Sequence, residues 1–268
     1  MKMIPRRFVR RVLGSGFRLR DSFGKSKKRA RKFVRRLRDP QRRRATAWCR
    51  RRSSDLEAVA TRIDAAAWSE ALDVKRAVAS LRRSRLAALD LHGARSSDIG
   101  GGPGNLALLY WLVRVLRPQT VVETGVASGA SSRAILEGLF ANGSGHLYSS
   151  DLSGVIPREF SGLCVDEAMN SRWTLLHDGD RANIPLILSS IESIDLLHYD
   201  SAKDADEMKW VVEQIEPLLA ASAVVVLDDI DRHSFMSDYV QGLEKSWYVF
   251  DTVGVIGLEE ACEALRSS

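Results

Sequence analysis

The residues best suited to chemistry lie in Glu123-Thr-Gly125-Val-Ala-Ser-Gly129-Ala-Ser131, an acid followed by two glycines four residues apart and then serines. Val121 and Val122 precede the acid, and such a short apolar run reads as the end of a buried parallel strand. Gly125 and Gly129 permit a turn that side chains would block, so that backbone can close against a ligand. Glu123 then stands at the carboxyl end of its strand, where open α/β sheets bind ligands. The spacing is not G-x-G-x-x-G, the turn that approaches a dinucleotide pyrophosphate. An acid here suits a ligand that is cationic or rich in hydroxyl and amino donors, not a phosphate.

Further acids recur at equivalent places. The stretch His146–Ser150 reads as a second strand ending at Asp151, 28 residues after Glu123. In nucleotide-binding α/β folds an acid at roughly 20 residues past the glycine turn grips ribose hydroxyls. A third strand, 172–176, closes in His177-Asp178-Gly179-Asp180, and a fourth, Ile194–Tyr199, ends at Asp200. The fifth, 223–227, is the clearest buried strand and ends in Asp228-Asp229. Crossover topology sets all these ends along one rim. Carboxylates crowded there repel one another, so stability does not explain them; a cationic ligand, a metal, or both would. Lys203 follows Asp200 by three residues, and His233 lies just beyond the Asp pair. His198 and Tyr199 read as sheet packing.

Helical patterns separate the strands, over 131–139, 184–191 and 204–219, the last with Met208, Val211, Val212, Ile215 and Leu218 at helical spacing. Strands alternating with helices imply crossover units. A terminal pair, 247–253 and 255–258, joined through Gly254, reads as a hairpin on the sheet edge. The expected fold is α/β, a doubly wound, mostly parallel, Rossmann-like sheet of about seven strands with a helical N-terminal extension.

From residue 105 to 258 the chain resembles the class I S-adenosylmethionine-dependent methyltransferases, in particular small-molecule O-methyltransferases of the catechol and macrolide-sugar kind. The turn from Glu123 to Ser131 matches that group's E-x-G-x-x-x-G-x-S turn, which binds the methionine moiety. The resemblance implies that Glu123, Gly125, Gly129 and Ser131 meet the cofactor, that Asp151 binds its ribose, and that Asp178, Gly179 and Asp180 meet the adenine. It implies that Asp200, Asp228 and Asp229 hold a divalent cation such as Mg²⁺, and it sets Lys203 where a catechol-type member carries its proposed general base. Asp228-Asp229 is closer to the sugar-methylating members than the Asp-Asn of the catechol type. Asp204-Ala205-Asp206 stands where some relatives have an aromatic, and 151–172 is an irregular insertion that could shape a lid. The implied activity is methylation of a hydroxyl on a small molecule or sugar. A hard cation held by carboxylates lowers the pKa of a bound hydroxyl. Lys203 among acids favours its charged form, which suits an orienter or secondary base better than the main activator. Two rivals come from other classes: a non-catalytic cofactor-binding or interaction protein that works through a basic arm, and a nucleic-acid methyltransferase. Intact Glu123, Gly125, Gly129 and Asp151 oppose the first. The second lacks an Asn-Pro-Pro-Tyr motif, and its acidic body would suit phosphate poorly.

Composition divides the protein. With 268 residues, 45% of them hydrophobic, the chain can bury a full core. No run approaches the ~18 apolar residues of a membrane span. Cys49, Cys164 and Cys262 are odd in number and far apart, which points to a reducing, cytoplasmic setting. Residues 1–52 hold 22 Lys and Arg against two acids, a charge of +20, whereas the remainder carries −14. Three regions are therefore expected: a basic arm over 1–52, disordered or amphipathic; a helical extension and Gly-rich linker over 53–104; and a methyltransferase domain over 105–268. In the arm, Ile4, Phe8, Val9, Val12, Leu13 and Phe17 recur at helical spacing among arginines. This suits an anionic membrane surface; an organellar presequence, a nucleic-acid arm and a solvated arm docking on the acidic body are the alternatives. In the extension, Ser54-x-x-Glu57 is a capping-box pattern, followed by helices near 56–71 and 74–91. The glycine-rich 95–104 reads as a lid or a linker, with Asn105 capping a helix over 106–116 whose Leu108, Leu109, Trp111, Leu112 and Val113 make it apolar all round. The sequence is compatible with a homo-oligomer without specifying one.

Overall fold

The computed structural model describes residues 39–91, 105–152 and 158–267; most of the basic arm and the glycine-rich 95–104 lie outside them. Seven strands form one sheet: β1 Thr120–Thr124, β2 His146–Ser150, β3 Trp173–Leu176, β4 Ile194–Tyr199, β5 Leu219–Leu227, β6 Trp247–Phe250 and β7 Val253–Ile256. Their order is β3-β2-β1-β4-β5-β7-β6. The first five run parallel, and β7 pairs antiparallel with both β5 and β6. The chain steps outward from β1 to β3 and then returns to place β4 on the other side of β1. The crevice between β1 and β4 is thus the switch point at which such sheets bind ligands.

Alternation along the strands divides the core. Val121, Leu196, Val224 and Val226 face one side, with Leu109, Trp111 and Leu136. Val122, Leu197, Tyr199, Val225 and Leu227 face the other, with Ile184, Val211 and Ile215. This is the period of two expected of strands covered on both faces. The first side is covered by α2 (Leu56–Leu91), α3 (Leu106–Leu116), α4 (Ala130–Asn142) and α8 (Leu258–Ser267), the second by α5 (Asp180–Leu188) and α6 (Ala205–Ile215). Every residue from Leu106 to Val113 is buried, as its all-apolar sequence requires.

Several boundaries differ from expectation. The two helices expected in the extension form one element, α2, broken at Asp64 (φ −153°, ψ 97°). The Asp64 carboxylate accepts from the Ala67 N–H at 2.9 Å and so caps the second part. Asp55, not Ser54, caps the start, accepting from Glu57 N at 3.0 Å. The Ser54 N–H is already committed to Val249 O at 2.7 Å. Asn105 makes no side-chain cap. The hairpin turn lies at Asp251-Thr252, with Asp251 at φ 57°. Gly254 instead pairs within β7 opposite Leu227 and Val249, where a Cβ would meet Met236 Cε at 2.8 Å.

The end of the expected arm is folded. Helix α1 (Pro40–Arg52) is capped by Asp39, buries Ala45 and Cys49, and contacts the edge strand β6. A short helix, α7 (Phe235–Tyr239), lies between β5 and β6.

Candidate active site

Backbone pairing continues one residue past the strands and thereby fixes the rim. Gly125 N donates to Ser150 O at 2.8 Å, Asp151 N to Leu176 O, Asp200 N to Thr124 O and Asp228 N to Tyr199 O, each at 2.9 Å. Asp151, Asp200 and Asp228 are therefore set by the sheet, not by flexible loops.

Between β1 and α4 the backbone turns through three positive φ angles, Gly125 (82°), Ala127 (47°) and Gly129 (74°). The glycines serve chain against chain. A Cβ on Gly125 would sit 2.3 Å from the carbonyl oxygen of Asp200, and one on Gly129 would sit 2.6 Å from the Cα of Gly162. Expected contact of glycine backbone with ligand is thus preceded by contact with β4 and with the 158–172 segment. That segment is pinned to the turn, with Gly162 N donating to Ala127 O at 2.9 Å and Cys164 N to Ser128 O at 2.8 Å. From α2, Arg82 Nε donates to Ser128 Oγ at 2.9 Å. Arg85 and Arg133 both grip Asp166.

Glu123 is fully buried. Its Oε2 accepts from Ser132 Oγ at 2.6 Å and Ser149 Oγ at 2.9 Å, while Oε1 faces Nδ1 of buried His198 at 3.4 Å. Burial pushes the Glu123 pKa up, but His198 and the hydroxyls of Ser132 and Ser131 outweigh it, and the carboxyl stays below its ordinary value. Burial likewise opposes charge on His198, and Glu123, Asp200 and Asp228 overcome it and raise its pKa. Ser131 itself is buried in the first turn of α4.

Asp151 is buried and accepts from Ser161 Oγ. Asp178 is exposed and pairs with Arg158 at 2.9 Å. Gly179 (φ 82°) returns the chain, its N–H donating to Asp151 O at 3.0 Å. Asp180 accepts from Ser150 Oγ at 2.6 Å, and burial raises its pKa. Asn183, which the sequence reading did not single out, is buried and ties this corner together: Nδ2 donates to Ser150 Oγ (3.0 Å) and Leu176 O (3.1 Å), and Oδ1 accepts from Asp178 N (3.2 Å).

On the other side of the crevice, Lys203 Nζ contacts the Asp200 carboxylate, donates to Asp200 O at 3.0 Å, and reaches Asp229 Oδ2 at 3.1 Å. Asp229 Oδ1 accepts from Arg232 at 3.0 and 3.1 Å, so both of its oxygens are engaged. Asp229 holds φ 55°. Burial would lower the Lys203 pKa, but Asp200 and Asp229 raise it. Asp200 is pushed up to about 6, by burial and then by Asp228, against the pull of His198 and Lys203. Burial also acts on Asp229, where Lys203 and Arg232 prevail and lower its pKa. Among the described residues, His198, Asp200 and Asp228 each bring a ligand atom within 4.8 Å of the others. His198 therefore belongs to the site as well as to the sheet. The signal available in sequence was its position two residues before Asp200, on the same face of β4.

Eight buried side-chain polar atoms among the described residues lack a hydrogen-bond partner. Two are indole nitrogens in the core, of Trp68 and Trp111; the other six are Glu123 Oε1, Thr124 Oγ1, His198 Nδ1, Ser201 Oγ and both ring nitrogens of His233. Glu123 and Thr124 end β1, His198 and Ser201 flank the end of β4, and His233 lies in the loop after β5. Glu123 Oε1 and His198 Nδ1 face each other at 3.4 Å and so compensate one another, as buried polar groups generally must.

Residues 122–230, from β1 to the loop after β5, match a family model described as a methyltransferase domain. This segment is similar to a methyltransferase domain. It contains the glycine turn, all the strand-end acids and Lys203. The chain matches none of the curated proteins it was compared with. Among solved structures it is similar to the O-methyltransferase TomG from Streptomyces achromogenes, involved in tomaymycin synthesis and solved with SAM, at 15% identity, TM-score 0.48, covering 66% of this chain and 88% of that one. A methyltransferase from Geobacter sulfurreducens is 18% identical, TM-score 0.49, with the same coverage of 66% and 88%. An O-methyltransferase from Bacillus cereus in complex with SAH is 15% identical, TM-score 0.46, covering 74% and 96%.

Proposed function

We propose that the protein is an S-adenosylmethionine-dependent O-methyltransferase acting on a hydroxylated small molecule or sugar, assisted by a divalent cation. The observation that carries this reading is the glycine turn and the strand-end acids Asp151, Asp200 and Asp228, set along one rim by backbone pairing within the segment that matches a methyltransferase domain model. The donor set fits the cofactor. An acid-lined rim suits a sulfonium, and Asp151, already held by Ser161, can accept from ribose hydroxyls. Glu123 has no exposed surface, so it acts by holding Ser132, Ser149 and His198, and through them the glycine turn that meets the methionine moiety. Gly179 and its flanking acids Asp178 and Asp180 provide the adenine end.

Bound S-adenosylmethionine supplies an electrophilic methyl on sulfur, displaced in line by oxygen with a neutral thioether leaving. What remains for the chain is alignment of the acceptor, which can supply much of the rate enhancement, and removal of the acceptor's proton. Lys203 is held charged by Asp200 and Asp229, so it orients the acceptor and keeps its own proton. Asp200 and Asp228 offer oxygens suited to Mg²⁺, whereas an imidazole such as His198 is the less suitable ligand for that ion. Asp229, engaged by Lys203 and Arg232, sets the Lys203 ammonium beside the cation site. A cation held by Asp200 and Asp228 would lower the pKa of the acceptor hydroxyl, whose proton would then pass to solvent.

Calorimetry with S-adenosylmethionine and S-adenosylhomocysteine tests the cofactor, and absence of heat with both would overturn the reading. A labelled-methyl screen over catechols and sugars, with Mg²⁺ or excess chelator, tests the chemistry. Full turnover in chelator would assign Asp200 and Asp228 to the acceptor instead of a cation.

A further inference from the structure

We propose that the exposed arginine face of α1 docks the protein on an anionic lipid bilayer. The inference is independent of methyl transfer. Helix α1 carries six arginines in thirteen residues. Arg43 and Arg50, and likewise Arg44 and Arg51, are seven residues apart, so they lie on one side of the helix with a spacing of about 10 Å. All four are exposed, and Arg44, Arg50 and Arg51 join no ion pair among the described residues. The helix beneath them is fixed. Ala45 and Cys49 are buried, and Trp48 stacks on Trp247 with centroids 5.6 Å apart. Arg42 and Thr46 reach Asp231, at 3.7 and 3.4 Å. The charges are therefore held by the catalytic body, two residues beyond Asp229.

Two features select a bilayer over a nucleic acid. The chain after residue 52 carries −14, which opposes a polyanion that wraps the body but not a flat surface touching one face. The 38 residues before Asp39 hold 16 Lys and Arg against one acid, and intersperse Ile4, Phe8, Val9, Val12, Leu13 and Phe17. Phosphate backbones have no use for such apolar side chains, whereas a lipid interface binds them and adds attraction from its anionic head groups. No described helix is long and apolar enough to cross a membrane, so the contact proposed is peripheral.

The test is co-sedimentation of the full-length protein with phosphatidylcholine vesicles, with and without phosphatidylserine, at physiological salt. Binding is expected only with phosphatidylserine. A basic residue near such a surface contributes about fivefold in affinity. The variant R43A/R44A/R50A/R51A should thus bind at least about thirtyfold more weakly at an unchanged melting temperature, while the four-lysine variant retains binding. If the quadruple alanine variant melts early, R44A/R51A decides, with an expected loss of at least about fivefold. No binding to phosphatidylserine vesicles, or equal binding by the folded alanine variant, would overturn the proposal. So would a single-stranded RNA oligonucleotide that displaces the vesicles and itself loses binding in the same variant.

Discussion

Asp200 is set between a charge it would share and a burial that opposes it. Its pKa, raised to about 6 from an ordinary 3.8, means that the folded protein binds this proton more tightly than the unfolded chain does. The associated stability is present below the ordinary carboxylate pKa and is lost as pH rises through about 6. Asp200→Asn should therefore stabilise the cation-free protein at pH 7.5 by roughly 1–3 kcal/mol, with no gain near pH 4. Denaturant unfolding at the two pH values measures this; equal stability of both forms at pH 7.5 would mean that Lys203 and His198 compensate the burial completely. Turnover should fall in the same variant, the usual exchange of stability for activity at a strained site. Asp151 is the contrasting case, a buried carboxylate held by Ser161 and proposed to accept from ribose hydroxyls. Charge-assisted bonds contribute about 1.5–3 kcal/mol each. Asp151→Ala should accordingly weaken S-adenosylhomocysteine binding at least about tenfold. An unchanged dissociation constant in calorimetry would take Asp151 out of the cofactor site.

At the scale of elements, the glycine turn ties β1 to β4 before it can serve any ligand. Gly125→Ala would place a Cβ 2.3 Å from Asp200 O at φ 82°. Gly143, with a similar φ of 73° and nothing within 4 Å of its Cβ position, isolates the conformational part of that penalty, about 1–2 kcal/mol. Gly125→Ala should be more destabilising than Gly143→Ala by at least about 2 kcal/mol in urea unfolding, a close backbone clash being among the larger mutational effects. Equal losses would show that the Asp200 carbonyl yields easily. What the sequence made legible follows the same logic. Ile194–Tyr199 coincides with β4 because a buried strand declares itself by a largely apolar run closed by an acid, whereas His146–Ser150 coincides with β2 because the Asn142-Gly-Ser-Gly145 break and Asp151 bracket it. The start of β5 was hidden, since Leu219 to Ser222 are half-buried or exposed and carry no such run. The hairpin turn was hidden because Asp251, not a glycine, takes the positive φ. The break at Asp64 was hidden because nothing local distinguishes one aspartate on a helix from another. In the site, the acids were legible as strand ends. The pairing of Glu123 with His198 was not, because it depends on the register of β1 against β4, in which the two are direct partners.

At the scale of the whole molecule, the boundary suggested by charge and the boundary set by packing differ. Composition places the end of the basic arm at residue 52, whereas packing begins at Asp39, whose carboxylate accepts from Gln41 N at 3.0 Å to start α1. From there the chain is part of the body: Trp48 on Trp247, Arg52 over the same ring at 5.7 Å, and the Asp251 N–H donating to Ser53 Oγ at 3.1 Å. The Cys49 thiol, raised to about 11 by burial and by Asp231, remains protonated and unreactive there. Two truncations should consequently behave differently. Removing residues 1–38 leaves the described contacts intact, and both the melting temperature and S-adenosylhomocysteine affinity should match the full chain. Removing 1–53 strips the cover from Trp247 and β6. An aromatic pair contributes about 0.5–1.5 kcal/mol beyond its burial, and fully burying an apolar side chain about 1.5–3, so the longer truncation should lose at least about 2 kcal/mol. Melting curves of the two truncated proteins, followed by tryptophan fluorescence, decide between the boundaries. Identical melting would return α1 to the arm. Early melting of the 1–53 truncation alone would establish that the folded body begins at Asp39, with a basic face as part of its surface.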